Sequence, residues 1–232
     1  MKMIAFLSTT IFFLNSGTGQ EATPLPNLNG SAKPTMVYIR DLAGKPLPGS
    51  RNIDIEGSPF LNNEFEPGRV VFTNGKMSSD LYLQFNMVDN KLLFRRDDMI
   101  MEFVDSVRDF YLQYNENNTL GLVFRCNFPP IDRNTRATFY ELLVDGKIEL
   151  LKYRYKTITG HREYNATNKK SYSEGSQLYA ALPGNKIIRI KRDRNFLMRA
   201  MPDYAEKIFK LTNNLRLKDD ESLINLFQEL NK

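Results

Sequence analysis

From about Met36 to Arg192 the chain repeats one pattern, short apolar runs separated by clusters of turn residues. In DLYLQFN, Leu81, Leu83 and Phe85 fall on one side and Tyr82, Gln84 and Asn86 on the other, which is the two-residue period of a half-buried strand. MVYIRD, RVVFTNG, KLLFRR, DFYLQYN, LGLVFRCNF, SQLYAAL and KIIRIKR read as further strands. In FYELLVDGKIELLKYRYK, residues 139–156, two strands meet at Asp145-Gly146, a pair that tolerates the positive φ values of a type I′ turn. Asn74-Gly75, the MVDN segment at 87–90 and Pro183-Gly184-Asn185 supply turns between other neighbours. Consecutive hairpins of this kind predict an antiparallel sheet, curled towards a barrel or split into a sandwich.

After Arg192 the period lengthens. PDYAEKIFKLTNN puts Tyr204, Ile208, Leu211 and Leu215 on one helical face, with Pro202 accommodated in the first turn. KDDESLINLFQELN gathers Leu223, Phe227 and Leu230 on another, and Asp219, Asp220 and Glu221 sit where a helix N-terminus favours negative charge. The fold class expected is therefore mainly β with α, a hairpin-rich antiparallel sheet packed by two C-terminal helices.

The N-terminus stands apart from this scheme. Met1-Lys2 is a short positive segment, Met3 to Leu14 an apolar stretch, and Gly17-Thr18-Gly19 supplies small residues for cleavage near Gln20. Residues 1–19 read as a secretory signal peptide. Residues 20–35, rich in Pro, Asn, Gly and Ser, read as a flexible lead, 36–192 as the β body and 193–232 as the helical segment. The expected location is the periplasm or the extracellular space. In the mature chain no apolar run approaches the ~20 residues of a membrane-spanning helix.

Composition narrows the function. An apolar content of 41% over 232 residues suffices for a sizeable core. Of 32 basic residues Lys2 leaves with the signal, so 31 face 27 acidic ones, a mild excess without the concentrated stripe of a nucleic-acid interface. Cys126 is the single cysteine, so no internal disulfide is available in an oxidising compartment, and its strand-like setting reads as packing. His161 is the single histidine, which removes both zinc chemistry and a histidine-based nucleophilic triad from the expectations. The DRN and DDE segments lack the spacing and glycine of a calcium loop. No phosphate-binding glycine motif occurs, and neither metal nor cofactor is expected. A carboxylate pair drawn from Glu64, Glu66, Asp97 and Asp98 is the enzymatic alternative.

GSPFLNNEFEPGRVVFTNGK, LYLQFNMVDNKLLFRR, FYELLVDGKIELLKY and the terminal LFQELN together make residues 52–231 resemble a group of uncharacterised exported β-rich proteins common in the Bacteroidota. The resemblance implies an envelope or secreted protein with helices at its C-terminus, and it brings no activity to transfer.

Two stretches carry contact chemistry. TITGHREYNATNKKSYSEGS, residues 157–176, reads as a long polar connection flanked by tyrosines and cations. Tyr153, Tyr155, Tyr164, Lys169, Lys170 and Tyr172 are its candidate contact residues, because tyrosine rings offer rigid amphipathic area and the cations attract acidic partners. Arg189 and Lys191, in the basic run KIIRIKR, complete the set, and basic residues on an edge strand also deter aggregation. The functional expectation is a non-enzymatic exported protein that binds an envelope protein or an anionic envelope component. The alternatives are a carrier of a small apolar ligand inside the curled sheet, with the helices as lid, and the carboxylate hydrolase.

Overall fold

The structure is a computed structural model that describes residues 35–38, 42–46, 55–112, 121–161, 169–213 and 216–232. The signal segment, most of the lead, Tyr164 and Leu215 lie outside them.

Twelve strands form one mixed, open sheet. In chain order they are β1 (Gly44–Pro46), β2 (Ile55–Glu56), β3 (Glu66–Phe72), β4 (Met77–Asn86), β5 (Lys91–Arg96) and β6 (Met99–Phe103). They continue as β7 (Val107–Leu112), β8 (Leu122–Arg125), β9 (Tyr140–Val144), β10 (Glu149–His161), β11 (Lys169–Leu182) and β12 (Lys186–Ile190). The path across the sheet is β1-β6-β5-β4-β3-β7-β8-β9-β10-β11-β12, antiparallel throughout. The parallel contact is β2 on β11 at Ile55↔Lys170 and Glu56↔Ser171. Of the expected MVYIRD strand, the described part is a single parallel bridge between Met36 and Met77.

The sheet curls without closing. Strands β4 and β8 are three places apart, about 14 Å on a flat sheet, yet the Phe85 and Phe124 rings lie 5.2 Å apart. Phe110 stacks on Phe124 at 4.7 Å and Phe139 meets Phe110 edge-on at 5.0 Å. The β4–β5 turn then reaches across the opening: Phe139 N donates to Asn90 Oδ1, Asn90 Nδ2 to Ala137 O, and Lys156 N to Met87 O at 3.2 Å. Leu81, Leu83, Phe85 and Phe94, all fully buried, belong to this first core.

Three helices follow the sheet where two were expected. The additional one, α1 (Arg194–Ala200), is started by Asp193, whose side chain accepts from Phe196 N. A 3-10 turn at Pro202–Tyr204 leads into α2 (Ala205–Leu211). A capping box between Asp219 and Ser222 starts α3 (Asp220–Leu230). Ile208, Leu223, Leu226, Phe227 and Leu230 pack on Ile148, Leu150, Leu178, Ala180 and Ile190 to make a second core on β9–β12. The helices thus cover the C-terminal half of the sheet. No helix among the described residues is long and apolar enough to cross a membrane.

The structure corrects two further expectations. Asp145 does not take the positive φ of a type I′ turn and Val144 pairs with Leu150, so the β9–β10 connection is longer than a two-residue turn. Residues 157–176 are largely strand: β10 and β11 stay paired without a register shift from Glu149↔Ala181 out to His161↔Lys169. The polarity that reads as a loop has another cause. Thr157, Ile158, Thr159 and Ser173 are exposed on a ribbon with water on both faces, so the alternation of apolar and polar residues disappears while backbone pairing continues.

Candidate functional site

Side chains alternate along the β10–β11 arm, and this sorts the expected contact residues. Tyr153 stands opposite Gln177, and Tyr155 opposite Gly175. Both tyrosines are half-buried, and their rings stack at 5.4 Å with 25° between planes. Further in, Tyr153 lies tilted against Tyr140 at 5.8 Å, and Tyr140 meets Phe128 at 5.6 Å and Tyr179 at 5.4 Å edge-on. With Leu142, Leu151, Ala181 and Ile187 these rings form a third core, on the face opposite the helices.

Gly175 makes the outer step of this stack possible. A Cβ there would come within 2.5 Å of the Tyr155 ring, so only glycine lets that ring lie flat across the neighbouring strand. Arg189 pairs in register with Tyr179 and is exposed on the same face. The segment between β8 and β9 forms the other rim. Its turn, bridged at Ile131↔Asn134, holds Asp132 at φ 52°. The Tyr179 hydroxyl lies 2.9 Å from the Asp132 carboxylate and 2.7 Å from Gln177 Oε1.

The other candidates are not part of this group. Lys170 and Tyr172 occupy register positions opposite Gly160 and Ile158, on the face shared with Arg154 and Lys156. On that face Arg154 and Lys156 are already engaged. Arg154 Nε binds Glu141 at 2.6 Å, and Lys156 Nζ donates to the Ser58 and Phe60 carbonyls at 3.0 and 2.5 Å. Lys169 is exposed towards the arm's end, and Lys191 lies over the Phe196 ring of α1 at 5.6 Å. Tyr164 lies outside the described residues.

The sequence reading missed Asp132, Gln177 and Gly175. The signal for Gly175 and Gln177 was their position two residues apart on a strand facing Tyr153 and Tyr155. Asp132 carried no such signal, since it reaches the site from a loop 47 residues before Tyr179.

A second polar cluster, on the same face of the sheet, is tied up internally. Arg125 Nε donates to Asp109 at 3.0 Å, and its Nη1 to Asp145 at 3.0 Å and Glu149 at 2.5 Å. Arg108 adds a bond to Asp109, whose side chain is wholly buried. Burial pushes the Glu149 carboxyl up, Arg125 pulls it back, and the neighbouring Asp145 raises it again. The carboxylates considered for hydrolysis lie elsewhere: Glu64 is exposed, Glu66 begins β3 and is raised by burial, and Asp97 and Asp98 make the exposed β5–β6 turn. Burial and the nearby Asp109 lift the Cys126 thiol to about 11, and its Sγ donates to Val107 O.

Comparison of the chain with protein-family models, with curated proteins and with solved structures finds no match in any of the three.

Proposed function

We propose that the chain is an exported, non-enzymatic protein that acts by binding or assembly at the cell envelope, with the β10–β11 arm and its tyrosine-bearing base as the contact element. One observation carries this reading: the stacked Tyr153 and Tyr155 rings are held half-exposed on a rigid paired ribbon. Aromatic rings that are ordered before a partner arrives lose little entropy on contact, which is why tyrosine is favoured at recognition surfaces. The exposed cations Lys169, Lys170 and Arg189 would favour a partner or envelope component of negative charge.

The close packing of buried rings in the curled half supports this reading over the carrier alternative. Leu81, Leu83, Phe85 and Phe94 are packed against each other and against a ring cluster whose members lie 4.5 to 6.0 Å apart. The helices cover a different part of the sheet, so they do not act as a lid over that interior.

The test is crosslinking in the native host envelope, with a photoreactive residue at Lys169 on the arm or at Glu229 on α3. A partner adduct at Lys169 and none at Glu229 is expected. Equal labelling at both positions, or none, would count against the arm as the contact element. Native mass spectrometry of the purified mature chain adds a check on carriage, because a reproducible bound apolar mass would restore that alternative.

A further inference from the structure

We infer that the base of the arm is a glycan-binding site, in which one sugar unit stacks on Tyr155 and Tyr153 and its hydroxyls are read by Asp132, Gln177 and Arg189. The inference rests on the binding reading above and names its ligand class.

Two features of the site point to the same chemistry. The first is the shape of the platform. Tyr155 lies flat over Gly175 and stacks on Tyr153, so two adjoining rings offer apolar area at the edge of a rigid ribbon. A pyranose has one face made mostly of C–H groups, and such a face packs on an aromatic ring as another apolar group would. The second is the balance of donors and acceptors at the rim. The Tyr179 hydroxyl carries one proton, and two acceptors lie within hydrogen-bond distance of it, a carboxylate oxygen of Asp132 and Oε1 of Gln177. One proton cannot fully serve both, and Asp132 is exposed to solvent. The rim therefore has acceptor capacity to spare, which suits a ligand that brings several O–H donors beside an apolar face. Exposed Arg189, in register with Tyr179, adds a donor for ring or carboxylate oxygens.

A proline-rich peptide also favours aromatic platforms, but it brings few side-chain donors to the acceptors that Tyr179 leaves unserved. The acceptor-rich rim favours the sugar.

The chain contains 11 tyrosines and no tryptophan, so its intrinsic fluorescence comes from tyrosine, and the change lost in Tyr155→Ala is the platform's share of it. The test uses the full mature chain, titrated by calorimetry and tyrosine emission with cellohexaose, xylohexaose, chitohexaose and hexagalacturonate, and with a decaproline peptide. At least one oligosaccharide is expected to bind and to change tyrosine emission. Tyr155→Ala should weaken that binding about tenfold, and Gln177→Ala should weaken it in the same direction. Tyr155→Phe, which keeps the ring, should retain binding, as should Tyr172→Ala on the opposite face. Circular dichroism of each variant separates loss of the site from loss of the fold. Failure of all four sugars to bind at millimolar concentration overturns the inference, as does binding that ignores Tyr155→Ala. Binding of decaproline alone overturns the glycan assignment while leaving the arm as a contact element. Crosslinking at Lys169 without any sugar binding separates the two claims in the same way.

Discussion

At the scale of single residues, polar groups inside this protein differ in whether they are matched. Arg125 is the clearest matched case, since Asp109, Asp145 and Glu149 all share its guanidinium. Replacing it by methionine leaves the fully buried Asp109 with Arg108 alone, and a loss of about 3–5 kcal/mol is expected in urea denaturation. A loss below about 1 kcal/mol would mean that Arg108 suffices. Glu149 adds a dependence on pH. Its folded carboxyl titrates above the ordinary 4.5, so the native state holds that proton more tightly than the unfolded chain does. The resulting stabilisation is complete below 4.5 and is lost as the pH rises through the folded value. The wild type should therefore lose stability relative to Glu149→Gln as pH rises through that window, and a flat difference would exclude Glu149 as the titrating group. Tyr140 is the unmatched case. Its hydroxyl and Asn134 Nδ2 are buried and neighbour each other without hydrogen-bond geometry between them, and burial pushes the phenol up to about 12 while Asn134 pulls it back. Tyr140→Phe keeps the ring packing and removes that unpaired group, so stability should stay level or rise by about 1 kcal/mol, whereas a clear loss would reveal a bond to Asn134.

At the scale of elements, the helices are tied to the sheet by a polar clamp as well as by their apolar faces. Asn231, at the end of α3, accepts from Ile148 N at 2.9 Å and donates to Ile148 O at 2.8 Å, over the turn at Gly146. Asn231→Ala should cost about 1–3 kcal/mol and loosen the β9–β10 turn, which amide exchange at Ile148 would report. Unchanged exchange there would show that the apolar face of α3 is sufficient. Elements with a strong period were legible in the sequence: β4 in LYLQFN, the hairpin at Asp145-Gly146, and the buried Leu223, Phe227 and Leu230 of α3. The helix α1 was not, because its seven residues bury Leu197 alone and sit within a basic run that continues β12. The outer half of the arm was not, because exposure on both faces erases the strand period. The residues of the candidate site were legible in part. Tyrosines beside cations marked the arm, but alternation along the ribbon then separates Tyr153 and Tyr155 from Lys170 and Tyr172, and Asp132 enters from a distant loop.

At the scale of the whole molecule, the main packing and the proposed contact element lie in different regions. The curled half is held by a ring cluster around Phe85, Phe110 and Phe124, and truncating Phe110, which touches both others, should cost about 3–5 kcal/mol. Among its described residues the outer arm has no comparable packing, since Thr157 to Gly160 and Lys169 to Lys170 are exposed and its added support is the two-residue pairing with β2. Replacing residues 158–172 by Asn-Gly would close the ribbon across the Thr157–Ser173 pair while keeping Lys156 on Ser58 and Phe60. Because little apolar surface is exposed by that cut, stability should change by no more than about 1 kcal/mol. The shortened chain should no longer compete with the intact chain for the partner crosslinked at Lys169, and sugar binding at Tyr153 and Tyr155 should persist, because both tyrosines and Gln177 lie outside the removed segment. A shortened chain that unfolds would show that β2 and the outer ribbon are structural. A shortened chain that keeps every contact would move the binding surface off the arm and onto the platform alone.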